Sequence, residues 1–162
     1  MLMVTSTKTK AKKGFTLIEL LVVISIIGLL STLAVVALNN ARIRSRDAKR
    51  LSDMSAVSTG MQLYLDGTGA FSGACKSSTG AVLPNGTQLS ACVGNGGTTG
   101  IDDFLPGIAQ IKDPTGTSAC ANPATGLCNY TLNALTATTF TINFYQEGGD
   151  AGGVVNERGL IE

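Results

Sequence analysis

Residues 12–20 read Lys-Lys-Gly-Phe-Thr-Leu-Ile-Glu-Leu, and the character of the chain changes within this stretch. The residues before it are polar and basic, whereas those after it are almost entirely apolar. From Phe15 to Leu38 there are 24 residues, of which Glu19 is the only charged one. A carboxylate inside a bilayer costs a few kcal/mol on insertion scales, so Glu19 is a candidate functional residue that needs a partner.

The uncharged run from Leu20 to Leu38 predicts a membrane span. Its 19 residues match the roughly 20 that a helix needs to cross the hydrocarbon core. The basic leader favours the cytoplasmic side, so the C-terminal part is expected outside, where disulfides persist. A secretory signal peptide with a weak cleavage site at 35–37 is the alternative. The apolar run is longer than the roughly 7–15 residues typical of such peptides, and Glu19 interrupts it.

Residues 12–24, Lys-Lys-Gly-Phe-Thr-Leu-Ile-Glu-Leu-Leu-Val-Val-Ile, resemble the class III signal of type IV pilins and the related type II secretion pseudopilins. The resemblance covers nearly all of these 13 residues. It implies that a prepilin peptidase cuts between Gly14 and Phe15 and that the new amine of Phe15 is then methylated. It also implies that Glu19 guides entry of the subunit into a filament.

Beyond Leu38 the apolar pattern becomes one-sided, which predicts an amphipathic continuation of the helix as far as Asp66. The apolar stripe consists of Leu51, Met54, Val57, Met61 and Leu65. Within the span, small residues at positions 25, 28 and 32 form a ridge that favours close helix packing, although such residues are common in membrane helices anyway.

The basic cluster at residues 42–50 has three interpretations, in order of preference. The first is a solvated face on which Asp47 and Asp53 pair with neighbouring bases. The second is contact with anionic lipid headgroups outside the membrane. The third is DNA binding, which the charge of the chain does not support, because the part from Gly67 onward is net acidic.

The remaining residues, 67–162, predict a small domain with an antiparallel sheet. Residues 138–145 alternate, with Phe140, Ile142 and Phe144 on one face and polar residues or Tyr145 on the other. Residues 129–132 predict a second strand, 133–137 a hairpin loop, and 154–155 a short strand. Turns are expected at 83–87, 113–116 and 147–150, and a short helical turn at 101–106, under which residues 108–111 are expected to pack.

The predicted class is therefore α+β: a long N-terminal helix packed on a small antiparallel sheet, an order that pilins share. The predicted segments are a cleaved leader at 1–14, a membrane or filament-core helix at 15–38, its amphipathic continuation at 39–66, and a globular extracytoplasmic domain at 67–162.

Four cysteines allow three pairings. We prefer Cys75 with Cys92 and Cys120 with Cys128, because these pairs close the shortest loops and loop closure then costs least. A zinc site is the alternative, but the cysteine spacings contain no closely spaced pair of the kind that zinc knuckles use.

A calcium site in an acidic loop is a further possibility, since some secretion pseudopilins have one. The candidate ligands are Glu147, Asp150, Asp102, Asp103 and Asp113. These acids do not form an ordered calcium-loop pattern, so solvated turn residues are the favoured interpretation. We predict neither a metal nor a cofactor. The chain also has no histidine, the commonest general base, and no phosphate-binding loop, so we predict that it is not an enzyme.

The resulting functional prediction is a structural subunit of a type IV pilus-like filament that serves adhesion, motility or DNA uptake. Its expected partners are other subunits, the prepilin peptidase, the inner-membrane assembly machinery and, before assembly, membrane lipid. The expected location is the cytoplasmic membrane and then a cell-surface or periplasmic filament. A pseudopilin of a type II secretion system is one alternative. A non-assembling, membrane-anchored surface binding domain is another, and it would need neither Glu19 nor a processed Phe15.

Overall fold

A computed structural model describes residues 14–94, 99–120, 126–149 and 152–161. Residues 1–13 of the predicted leader and Asp150 of the acidic set lie outside the described residues. The chain divides into two compact units, Met1–Asn40 and Ala41–Glu162. One α-helix, α1, runs from Leu17 to Thr68. Its first part contains nearly all described residues of the first unit, and its second part is the first secondary-structure element of the second unit.

Helix α1 ends two residues beyond the predicted Asp66. The end is set by Gly69, whose φ of 78° lies in the left-handed region, and whose N–H donates to the carbonyl of Leu65 at 2.7 Å. A glycine in this conformation satisfies one of the last helical carbonyls and stops the helix. Inside the helix, Gly60 and Gly67 leave room for the segment that follows Ile101, because a Cβ at either position would lie within 3.0 Å of Leu105 or Phe104.

The sheet of the second unit has five antiparallel strands in the order β1-β2-β3-β4-β5 within the described residues. The strands are β1 Thr87–Gln88, β2 Thr131–Leu135, β3 Phe140–Phe144, β4 Gly153–Asn156 and β5 Gly159–Ile161. Short 3₁₀ helices lie at Leu89–Ala91, Ile101–Asp103 and Ile108–Gln110. The predicted α+β class is confirmed.

The connection between β2 and β3 differs from the predicted hairpin loop at 133–137. Strand β2 continues to Leu135, with a register shift between Leu132 and Ala134, and Leu135 pairs with Phe140. The chain therefore turns at 136–139. Thr136 closes this turn, because its N–H donates to the carbonyl of Thr139 at 2.9 Å and the two hydroxyls lie 2.7 Å apart.

The core of the second unit forms between one face of α1 and one face of the sheet. The helix contributes Met54, Val57, Met61 and Tyr64, and the sheet contributes Leu132, Phe140, Ile142, Phe144 and Val155. The predicted apolar stripe is confirmed at its centre, while Leu51 and Leu65 are only partly buried at its ends. The predicted inward face of β3 is also confirmed.

The opposite face of the sheet, which carries the polar residues of β3, is partly covered. Thr131 and Asn143, which pair across β2 and β3, are buried. The chain preceding β2 contacts Thr131, because the N–H of Cys120 donates to the Thr131 hydroxyl at 2.6 Å. Tyr145, which follows β3, packs against the Cys120–Cys128 pair. The predicted alternation in β3 is confirmed, and Asn143 on its polar face is buried.

Replacing Phe140 by alanine should lower the free energy of unfolding of the second unit by about 3–5 kcal/mol, because its fully buried ring leaves a cavity. Denaturant unfolding of the detergent-solubilised chain, followed by near-ultraviolet circular dichroism, measures this loss. Val82→Ala is the control, since Val82 is 60% exposed and should change stability by less than about 0.5 kcal/mol. Equal losses in the two variants would contradict the described core.

Candidate functional site

The N-terminus of α1 is closed by a reciprocal pair of side chains, Thr16 and Glu19. The N–H and the hydroxyl of Thr16 donate to Oε2 of Glu19 at 2.8 and 2.7 Å, and the N–H of Glu19 donates to the hydroxyl of Thr16 at 3.3 Å. This is a capping box, in which two otherwise unpaired helix N–H groups find partners. Glu19 therefore has a partner within its own chain, which was not predicted from the sequence. The Thr-x-x-Glu spacing was the available signal.

All side chains from Gly14 to Asn40 are exposed, including those of more than a dozen large apolar residues. A continuous apolar surface of this size marks a region that meets lipid or protein. The helix is, by length and composition, long and apolar enough to cross a membrane. Near Phe15 and Glu19 its surface is lined by Ile18, Val22 and Val23.

Polar side chains within this apolar helix bond back to its own backbone. The hydroxyls of Ser25, Ser31 and Thr32 donate to the carbonyls of Leu21, Ile27 and Leu29 at 2.7–2.8 Å. Internal pairing of this kind lets a hydroxyl enter an apolar medium without losing a hydrogen bond. These hydroxyl groups therefore add little to the free energy of placing the helix in an apolar environment.

A second constellation lies at the start of the second unit and is centred on Arg50, whose side chain is fully buried. Its Nε and Nη2 donate to the two oxygens of Asp113 at 2.5 and 3.0 Å. Its Nη1 lies 2.7 Å from Oδ1 of Asp47 and 2.8 Å from Oε1 of Glu147, and Nη2 also donates to the hydroxyl of Thr115. The guanidinium is thus surrounded by acceptors.

The acceptors also hold the loops from which they come. Oδ1 of Asp113 accepts the N–H groups of Thr115 and Gly116 at 2.8 and 2.6 Å, which forms the predicted turn at 113–116. The carboxylate of Asp47 accepts the N–H groups of Glu147 and Gly148 at 2.9 and 2.8 Å.

Arg46 completes the set by pairing with Glu147 through Nε, at 2.7 Å, and through Nη2. We call Arg46, Asp47, Arg50, Asp113 and Glu147 the ion network. It joins three segments of the second unit: one turn and a half of α1, the turn at 113–116 and the loop after β3.

The network shifts the pKa values of Arg50, Glu147 and Asp113. Burial by itself would lower the pKa of Arg50, but hydrogen bonds to Asp113, Asp47 and Glu147 outweigh it and raise that pKa. The pKa of Glu147 is lowered, chiefly by its hydrogen bond from Arg46. Burial opposes ionisation of Asp113, yet hydrogen bonds from Arg50, Thr115 and Gly116 bring the pKa of Asp113 below its usual value. All these groups are charged at neutral pH.

The preferred interpretation of residues 42–50 as a solvated face is wrong for Arg50. The expected pairing within the cluster is confirmed, since Asp47 pairs with Arg50 and Asp53 pairs with Lys49 at 2.6 Å. The burial of Arg50 depends on acids 63 and 97 residues away, which no local pattern reveals.

Three of the acids considered for calcium have other roles in the structure. Asp113 and Glu147 pair with arginines, and Asp103 accepts the N–H of Gly100 at 3.0 Å. Among the described residues, no group of three or more His, Cys, Asp or Glu side chains is arranged to hold a metal ion. The geometry of these residues does not fit a calcium site.

The four cysteines form two disulfides, Cys75–Cys92 and Cys120–Cys128. The first lies in the main core, and the second lies on the covered face of the sheet. No cysteine is free to bind zinc.

These features define a class: an α+β protein whose exposed apolar N-terminal helix begins with the Thr16–Glu19 capping box and leads into a disulfide-bonded domain. Comparison with known proteins agrees. A family model described as the prokaryotic N-terminal methylation motif matches residues 9–35. Two curated relatives, each named "Fimbrial protein" and each from Pseudomonas aeruginosa, are 42% identical to this chain over 50 residues.

Each alignment covers 31% of this chain and 32% of the relative, so the chain spans about a third of the length of the curated relatives it matches. No solved structure matches the chain. The motif and the relatives support a similarity to the type IV pilin family. Residues 12–24 resemble the class III signal of that family.

Replacing Arg50 by methionine should lower the free energy of unfolding by about 3–5 kcal/mol, because three carboxylates lose their shared buried partner. Denaturant unfolding measures the loss. The matched control is Lys49→Met on the same helix, which breaks only the exposed pair with Asp53 and should cost about 1 kcal/mol or less. An Arg50→Met chain as stable as this control would show that the network contributes nothing net.

Acid should weaken the second unit through Glu147 and Asp113. Because both folded pKa values lie below the usual 4.5 and 3.8, the stabilisation is fully present above these values and is lost as pH falls through the lowered ones. The free energy of unfolding, measured from neutral pH to about pH 2, should therefore decline below about pH 4.5. Over the same pH range, the difference in free energy of unfolding between the unmodified chain and the Arg50→Met chain should become smaller. A difference that does not change with pH would contradict the assignment of the acid sensitivity to Glu147 and Asp113.

Proposed function

We propose that this chain is a structural subunit of a type IV pilus-like filament and that it assembles through α1. The observation that carries the proposal is the N-terminus of α1: a methylation motif leads into an exposed apolar helix whose charged group, Glu19, is held by Thr16, the residue after Phe15. The name of the two relatives, "Fimbrial protein", favours a pilus over a secretion system. The proposed role is structural rather than enzymatic.

The proposed maturation begins with the subunit as a single-pass membrane precursor. A prepilin peptidase removes leader residues 1–14 by cutting between Gly14 and Phe15, which frees the α-amine of Phe15 for methylation. Residues 15–38 stay in the membrane, 39–66 continue the helix, and 67–162 form the domain outside. An α-amine has a usual pKa near 8, so the processed N-terminus is cationic at neutral pH.

The geometry of Glu19 suggests how this amine is used. The Thr16 hydrogen bonds both fall on Oε2 of Glu19. A carboxylate has about four lone-pair sites on two oxygens. Oε1 can therefore accept a hydrogen bond from the amine of a neighbouring subunit while the hydrogen bonds between Thr16 and Glu19 stay intact. As the apolar helices exchange lipid for each other, this pairing compensates two charges that would be costly alone.

The proposed partners are therefore other filament subunits, the peptidase, the inner-membrane assembly machinery and, before assembly, lipid. The globular domains would form the outer surface of a cell-surface filament. That arrangement would leave the polar surface of the second unit to serve adhesion, motility or DNA uptake.

Replacing Glu19 by glutamine separates capping from charge. Glutamine also closes a capping box, so the helix start is preserved, but the neighbour's amine loses its counter-charge. Filament yield in the sheared surface fraction should fall at least about tenfold, since losing one partner of a buried pair costs about 3–5 kcal/mol and 1.4 kcal/mol is a factor of ten. Membrane insertion should be unchanged.

The reciprocal control is Thr16→Ala, which removes the cap and keeps the charge, and which should reduce yield less than Glu19→Gln does. Intact mass of the sheared chain tests processing in the same samples, with a methylated Phe15 expected at the N-terminus. Normal filament yield from Glu19→Gln, or a surface chain that retains Met1 or begins after Ala37, would support a plain anchor or a secreted domain instead.

A further inference from the structure

The basic residues between Arg42 and Arg50 fall into two groups. Arg46, Lys49 and Arg50 all form ion pairs with acids of the second unit. Arg42 and Arg44 are exposed, and neither has a hydrogen bond or an ion pair with any residue in the described ranges. Two unpaired guanidinium groups therefore remain at the start of the second unit, and the proposed assembly through Glu19 gives them no role.

Their position along the helix matches a membrane surface. Arg42 and Arg44 follow Leu38, the last residue of the apolar run, by four and six residues, which corresponds to about 6–9 Å of helix. The full bilayer is roughly 10–15 Å thicker than its hydrocarbon core, so the headgroup layer on each side is roughly 5–8 Å thick. Because arginine side chains are long, the guanidinium groups can lie at a different depth from their Cα atoms. Both guanidinium groups can therefore lie at the depth of the lipid phosphates.

Their directions also favour lipid over a large rigid ligand. At 3.6 residues per turn, side chains two positions apart point about 200° away from each other around the helix. A DNA duplex lies along one side of a helix and would meet only one of these arginines. Lipids surround a membrane helix on every side, and each planar guanidinium can bind two oxygens of a phosphate.

We propose that Arg42 and Arg44 bind the phosphate groups of outer-leaflet lipids and so set the depth at which the unassembled subunit lies in the membrane. This proposal rests on the proposed membrane-anchored precursor. It also accounts for how the precursor tolerates Glu19. Arg42 lies 23 residues after Glu19, which corresponds to about 35 Å of helix, more than the roughly 30 Å hydrocarbon core. Arginines held at the outer phosphates therefore keep Glu19 near the inner headgroups.

The test uses the full chain, labelled with ¹³C at the arginine guanidinium carbon, in vesicles of phosphatidylethanolamine and phosphatidylglycerol. Solid-state NMR dephasing of this carbon by lipid ³¹P reports direct contact with phosphate. The unmodified chain should show dephasing, and a chain carrying Arg42→Gln and Arg44→Gln should lose it. The matched control carries Lys112→Gln and Arg158→Gln, which remove two exposed positive charges elsewhere in the second unit and should leave the dephasing unchanged.

A depth measurement on the same variants supplies an independent readout. The chain has no tryptophan, so a single tryptophan introduced at Leu21 reports depth through quenching by lipids brominated at known positions. The Arg42→Gln and Arg44→Gln chain should shift this tryptophan relative to the unmodified and control chains. Equal quenching profiles in all three chains would overturn the depth-setting role.

Extraction at alkaline pH separates this proposal from the proposed function. A chain released from the vesicles would overturn the membrane span and with it the phosphate contact. A retained chain that shows no dephasing would overturn the phosphate contact alone. Retention of duplex DNA by the intact chain, lost on Arg42→Gln and Arg44→Gln, together with absent lipid dephasing, would assign the arginines to nucleic acid and overturn the proposal.

Discussion

The buried guanidinium of Arg50 is the constraint on which the second unit depends. A charge removed from water requires partners that replace its hydration, and a single carboxylate does not saturate a guanidinium. Here Asp113, Asp47 and Glu147 converge on it from three segments. The turn at 113–116 and residues 146–149 after β3 contain no large apolar side chain, so hydrophobic burial alone does little to fix their positions. The ion network fixes them.

The same network explains how a domain rich in glycine and polar residues holds a defined sheet. Asp113 forms its own turn through two backbone N–H groups and also neutralises Arg50. Asp47 likewise binds two backbone N–H groups of the loop after β3 and one nitrogen of Arg50. Each carboxylate satisfies a loop and a charge at once, so the loops and the helix support each other. Removing the arginine would leave both loops next to mutually repelling acids.

The elements that the sequence predicted are those determined by local patterns. The helix follows from a long stretch without proline, the stripe at 54, 57 and 61 from its spacing, and β3 from strict alternation of apolar residues. Strands β1 and β5 are two and three residues long, too short for any periodicity to show. The burial of Arg50 was not predictable either, because its partners Asp113 and Glu147 come from distant segments whose placement is a property of the whole fold.

The candidate site at the N-terminus divides in the same way. The motif and Glu19 were visible because their residues are adjacent in sequence, whereas the capping role of Thr16 required knowing where α1 begins. Arg50 and Glu19 are both charged groups that need partners away from water, and the structure treats them differently. Arg50 is neutralised permanently within the subunit, as a folded core requires. Glu19 is held by neutral groups of Thr16 that leave its charge uncompensated. A carboxylate that is oriented but not neutralised keeps its attraction for a cation from outside the subunit, and that property suits a group proposed to act only during assembly.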